Sequence, residues 1–122
     1  MTAIALRLSQ LSTGRQVLVR LCQTINHGVI EDLEVRKSEP VFNPFPVILK
    51  DVKLDADEQP RPEVSLSDFL VSVEVARLMS LLDGIDSGCI RRIDVRAGIP
   101  PRMLVESQEF GRGELFQAGR RK

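Results

Sequence analysis

Displaced by 60 positions, the chain matches itself. Leu18–Pro40 (LVRLCQTINHGVIEDLEVRKSEP) lies over Leu78–Pro100 (LMSLLDGIDSGCIRRIDVRAGIP). The identities are Leu18/Leu78, Leu21/Leu81, Ile25/Ile85, Gly28/Gly88, Ile30/Ile90, Val35/Val95, Arg36/Arg96 and Pro40/Pro100, with Leu33/Ile93 conservative. A repeat of this length constrains a chain more than any composition does, because each copy is one supersecondary unit that needs its neighbour to bury an apolar face.

Within each copy the same two periods recur. Leu18, Leu21 and Ile25, like Leu78, Leu81 and Ile85, follow the three-and-four spacing of one helix face. Gly28 and Gly88 fall where a left-handed residue would close each helix. The runs Val29–Arg36 and Cys89–Arg96 then read as strands. Their apolar positions (Ile30, Leu33, Val35 and Ile90, Ile93, Val95) are spaced three and then two, which predicts a β-bulge in each. Lys37–Glu39 and Ala97–Ile99 predict hairpin turns. Pro40 and Pro100 open return strands over about Val47–Leu54 and Arg102–Glu109.

Helix one is expected to start near Ser12 or Thr13. Helix two is expected to run from Ser65, through a Ser65–Asp68 capping box, to Asp83. Helix two is apolar over most of its circumference, with a polar line at Glu74, Arg77 and Ser80, so it is expected to be covered on two sides by the hairpins or by a partner chain. Ile4, Leu6 and Leu8 alternate as in a short N-terminal strand.

The expected fold class is α+β: two tandem helix–β-hairpin repeats packed as one pseudo-two-fold domain, helices against a mainly antiparallel sheet. Repeat one spans about 12–54 and repeat two about 65–109, with a hinge at 55–63. The single domain covers 1–110, followed by a mobile tail at 111–122.

Each half, a short helix followed by G-x-I-x-x-(I/L)-x-V-R, a turn and a proline, resembles the small bacterial YezD-like proteins. The resemblance covers Leu18–Val41 and Leu78–Arg102. It implies a single helix-plus-hairpin unit, here doubled, and carries over no catalytic residue.

Composition narrows the function classes. Seventeen basic and seventeen acidic residues cancel. A protein devoted to gripping a phosphate backbone carries a basic excess, since counterion release supplies most of that affinity. The absence of Trp and Tyr leaves an aliphatic core and removes stacking platforms. Cys22 and Cys89 read as two buried thiols of a reducing compartment. The N-terminus has no secretory pattern and no segment has the length of a membrane span, so the expected location is cytoplasmic.

No residue pattern in the chain marks a chemical site. His27, the sole histidine, reads as capping or solvated at a helix end. Asp55, Asp57 and Glu58 lack calcium-loop spacing, and no nucleotide-binding or nucleophile motif occurs. No catalytic residue, metal site or cofactor is expected.

The strongest polar feature is a charge contrast between equivalent strands. Glu31, Asp32 and Glu34 with Arg36 give −2, from one base and three acids. Arg91, Arg92 and Arg96 with Asp94 give +2, from three bases and one acid. Together with Arg102, these residues form the candidate interaction face. They read either as a solvated surface or as complementary faces that meet within the chain or across a dimer.

Three functional readings follow. The first is a non-enzymatic binding or assembly module forming a homodimer, with a protein partner possible and no membrane. The second is a small nucleic-acid-binding regulator using Arg91, Arg92, Arg96, Arg102 and the basic tail. The third is a small-ligand carrier with a cleft between the copies.

Overall fold

The computed structural model of the protein describes residues 6–57 and 59–106. Two helices, α1 (Thr13–Ile25) and α2 (Val73–Asp83), accompany five strands: β1 (Gly28–Arg36), β2 (Glu39–Val41), β3 (Val47–Lys50), β4 (Ser87–Arg96) and β5 (Ile99–Val105). The fold is α+β, and every strand pair is antiparallel.

Both helices begin at a serine whose hydroxyl accepts an amide hydrogen bond. Ser12 takes that of Arg15 and Ser72 that of Val75, which satisfies one of the donors a helix start leaves unpaired. Helix α2 is therefore shorter than its apolar pattern predicts. Pro62–Ser65 forms only a 3-10 turn. Asp68, read as part of a cap, instead receives the Arg7 side chain and the Ser9 amide and hydroxyl. These contacts fasten the N-terminal segment beside 69–71, where Leu8 N–H donates to Phe69 O and Val71 N–H to Leu6 O. The expected N-terminal strand reduces to one bridge, Arg7 to Leu70, with Ile4 outside the described residues. The segment 111–122, expected to be mobile, also lies outside them.

The sheet runs β2-β1-β4-β5, with β3 beside β1 on the same edge as β2. β2 pairs with the C-terminal end of β1 and β3 with its N-terminal end. They act as one return strand interrupted at 42–46, where the Asn43–Pro44 peptide is cis. The return strands are shorter than expected or shifted: β3 ends at Lys50, and β5 starts at Ile99. Both outer rows carry prolines, Pro40 in β2 and Pro100 and Pro101 in β5. Each removes an amide donor from an edge.

β1 and β4 form the centre. Gly28 pairs with Val95, Ile30 with Ile93, Leu33 with Ile90 and Val35 with Gly88. The predicted irregularity lies where the spacing put it. β4 slips against β5 between Ile90 and Arg92, and Asp32 in β1 has φ 58°. Through that slip Ile30, Leu33, Val35, Ile90, Ile93 and Val95 all remain buried on one face. Above them α1 buries Leu18, Val19, Cys22 and Ile25, and α2 buries Val75, Leu78, Met79 and Leu82. The helix stripe is offset from the expected one, since Leu82 is fully buried while Leu81 is 53% exposed. The second cover expected on α2 is not found among the described residues, where Val73 and Leu81 face solvent.

Both hairpins close in two residues with positive φ, Lys37–Ser38 and Ala97–Gly98, the primed turn whose twist matches its strands. Each turn also reaches the other half: Ser38 N–H donates to Asp86 O and Gly98 N–H to Asn26 O.

Neither Gly28 nor Gly88 closes a helix. Asn26, at φ 66°, ends α1, and Gly84, in a right-handed conformation, ends α2. Both expected glycines sit at strand starts instead, under different constraints. A Cβ on Gly28 would lie 2.2 Å from the Leu49 carbonyl oxygen, whereas on Gly88 it would meet only Ile85 Cγ2 at 3.6 Å. Gly28→Ala is therefore expected to cost about 3 kcal/mol by forcing β3 away from β1. Gly88→Ala is expected to change stability by less than about 1 kcal/mol. Paired thermal and denaturant melts of the two variants check this.

Candidate functional site: the charged sheet face and the interhelical groove

The helices cover one face of the sheet. On the other face the pairing sets side chains in rows. One row runs Val47, Glu31, Arg92, Leu104, and the next Leu49, Val29, Asp94, Arg102. The residues of opposite charge are thus brought together at the centre of the sheet. Arg91 Nη1 lies 3.5 Å from Asp32 Oδ1, and its Nη2 lies 2.9 Å from Glu106 Oε1. Arg92 Nε lies 2.8 Å from Asp94 Oδ1, and Arg102 Nε lies 3.3 Å from Asp94 Oδ2. Glu34 is 3.0 Å from Arg36 on its own strand.

The hydrogen bond to Glu106 holds Arg91 above the usual guanidinium range, and the one to Asp94 does the same for Arg92. Glu31 and Arg96 are the exceptions, and neither makes an ion pair among the described residues. Exposed pairs of this kind fix register and contribute little affinity.

A second feature lies on the helix side. Between α2 and the start of α1 runs a groove of about 1000 Å³, open to solvent and lined by Leu11, Leu70, Val71, Val73, Ala76 and Met79. At one end of it stands Arg15, whose side chain is only 12% exposed. Its guanidinium donates to Ser38 O at 2.8 Å, to Asp83 Oδ1 at 2.7 Å and to Met79 O at 3.4 Å. Glu39 Oε2 lies 3.4 Å from its Nε. One side chain thereby ties α1 to the first hairpin turn and to the C-terminal end of α2, whose free carbonyls favour a cation. Sequence reasoning passed over Arg15, Glu39 and Asp83. They lie far apart in the chain, and nothing local marks them.

The remaining candidates resolve simply. His27 accepts the Ala97 amide hydrogen at Nδ1, 3.3 Å away, and so touches the second hairpin turn and does not cap α1. Cys22 is buried, and burial pushes its thiol up to about 12, which suppresses thiolate chemistry. Cys89, expected to be buried, is half-exposed on the sheet face beside Glu34. Among the described residues no three His, Cys, Asp or Glu side chains are grouped to hold a metal, and no helix is long and apolar enough to cross a membrane. Comparison with protein-family models, curated proteins and solved structures returns no match.

Two outcomes follow. Arg15→Met leaves the carbonyls of Ser38 and Met79 and the Asp83 carboxylate without their donor, and is expected to cost about 2 kcal/mol in a denaturant melt. Asp68 is held at about 2, first by the Arg7 side chain and then by the Ser9 amide. Its lowered pKa makes its tether complete above the ordinary value of 3.8 and lost as pH falls toward 2. Protection of the Leu8 and Val71 amides, taken relative to their intrinsic exchange rate at each pH, is expected to fall over that interval, and Asp68→Asn to lower it at neutral pH.

Proposed function

We propose that this chain is a non-enzymatic binding and assembly module built from a duplicated helix–hairpin unit, and that it self-associates through the groove between its helices. The groove carries the reading. It is apolar, it is open, and Leu70 and Val73 at its rim are 56% and 53% exposed. A contiguous apolar surface rimmed by polar groups is the usual mark of a protein contact.

The duplication is supported by the central register. Adding 60 to Gly28 and subtracting 60 from its partner Val95 yields the pair Gly88 and Val35, and Ile30–Ile93 converts likewise into Leu33–Ile90. The cross-half hydrogen bonds Ser38 to Asp86 and Gly98 to Asn26 exchange under the same operation. On this reading the chain is a fused pair related by a pseudo-two-fold axis between Glu31–Asp32 and Arg91–Arg92, and the charge contrast makes the two halves prefer each other to copies of themselves. The likeness of each half to YezD-like proteins, and a place in the cytoplasm, belong to the same proposal.

The nucleic-acid reading is weaker, because Arg91, Arg92 and Arg102 are already engaged by carboxylates. A small-ligand carrier would draw on the same groove, but its open side suits a broad partner better than an enclosed metabolite.

Light scattering across micromolar concentrations is expected to give twice the chain mass, and Leu70→Glu with Val73→Glu to give the monomer with an unchanged far-UV spectrum. A wild-type monomer throughout that range overturns self-association. A dimer that survives both substitutions overturns the role of the groove.

A further inference from the structure

We propose that the groove beside α2 is filled by α2 of a second copy, the two helices running antiparallel about a two-fold axis at Ser80. This inference rests on the self-association proposed above and names the segment that makes it.

One helix is covered where the other is open. On α1, Arg20 donates to Glu63 O at 2.8 Å and to Leu66 O, and it lies 5.2 Å from the centre of the Phe69 ring. The chain between the halves thereby lies against that side of α1. The equivalent position on α2, 60 residues on, is Ser80, which is exposed and lines the open groove.

Val73, Ala76, Arg77, Ser80 and Asp83 form the α2 side of this groove. Residues three and four apart on a helix share a face. Arg77 and Asp83 therefore flank Ser80 at three residues on either side, and Ala76 and Gly84 at four. Arg77 is exposed and makes no ion pair among the described residues. Asp83 meets Arg15 through Oδ1 while its side chain stays 69% exposed. The remaining acid of the groove, Glu39, also faces Arg15.

A two-fold axis presents the same face of both partners to each other. With parallel helices it would set Arg77 against Arg77 and Asp83 against Asp83. With antiparallel helices it sets Arg77 against the partner's Asp83, twice over, and places each helix start beside the other's end. The short side chains of Ala76 and Ser80, with the bare Gly84, let the two backbones approach where the axis passes.

The test uses the full chain carrying Cys89→Ser. Cys22, buried with its thiol pushed up to about 12, then stays silent. Ser80→Cys in this background is expected to form a covalent dimer with a short bismaleimide, which adds one thiol at each end. Val17→Cys, at the position of α1 equivalent to Arg77, is expected to remain a single chain on a denaturing gel. Arg77→Asp is expected to weaken the dimer about tenfold or more in light scattering, with an unchanged far-UV spectrum. A dimer in which Ser80→Cys stays uncrosslinked overturns the α2 pair and leaves self-association standing. Equal crosslinking at Val17→Cys, or a wild-type Kd in Arg77→Asp, overturns it in the same way. A wild-type monomer overturns self-association and the α2 pair together.

Discussion

The pairing of β1 with β4 is the constraint on which the rest of the molecule depends. It aligns Ile30 with Ile93 and Leu33 with Ile90, producing a continuous aliphatic floor in a chain without Trp or Tyr. Burying a side chain of this size is worth roughly 1.5–3 kcal/mol. The floor is therefore the main reason for the halves to stay together. It also fixes the distance over which each helix must lie. Because the two strands are separated by more than 50 positions, the central ladder is a long-range contact, and both hairpin turns reach across it for a backbone partner.

Electrostatics and apolar contact divide the work between the two faces. The outer face of the sheet sets acids of β1 beside bases of β4, with Asp32 and Arg91 paired between the strands and Arg92–Asp94 and Glu34–Arg36 paired along them. Such an array selects one register and orientation. The helix face carries the groove, with its polar end sealed by Arg15 between Asp83 and Glu39. A surface whose charges are largely paired and a surface whose apolar atoms are open suit different partners, and the proposed contact uses the second. Among the described residues Glu31 and Arg96 are the places where the first face is left incomplete.

Much of the fold could be read from the chain because two periods coincide with two burials. The spacing of Ile30, Leu33 and Val35, repeated at Ile90, Ile93 and Val95, located both central strands and the slip within them. Reading failed where local signals competed with tertiary ones. Ser65–Asp68 has the composition of a helix cap, yet Asp68 is taken by Arg7 and Ser9 and the helix waits for Ser72. Gly28 looks like a helix terminator, although its lack of a side chain is required by the passage of Leu49. Leu81 matches Leu21 in sequence, but the helix turns Leu82 inward. The candidate face was visible as a charge contrast. The groove was not, because its lining comes from four separate stretches and its organiser, Arg15, resembles any helix arginine until the partners are assembled around it.

The prolines of β2 and β5 bear on how such a molecule can share a crowded solution. Strands recruit further strands through unsatisfied amide and carbonyl groups, and that recruitment has no natural end. Pro40 on one flank and Pro100 with Pro101 on the other take donors out of both outermost rows. Ribbon-like growth meets gaps whichever side it starts from. Contact with another molecule is thereby steered to the broad faces, where side chains rather than main chain choose the companion and the resulting particle has a finite size.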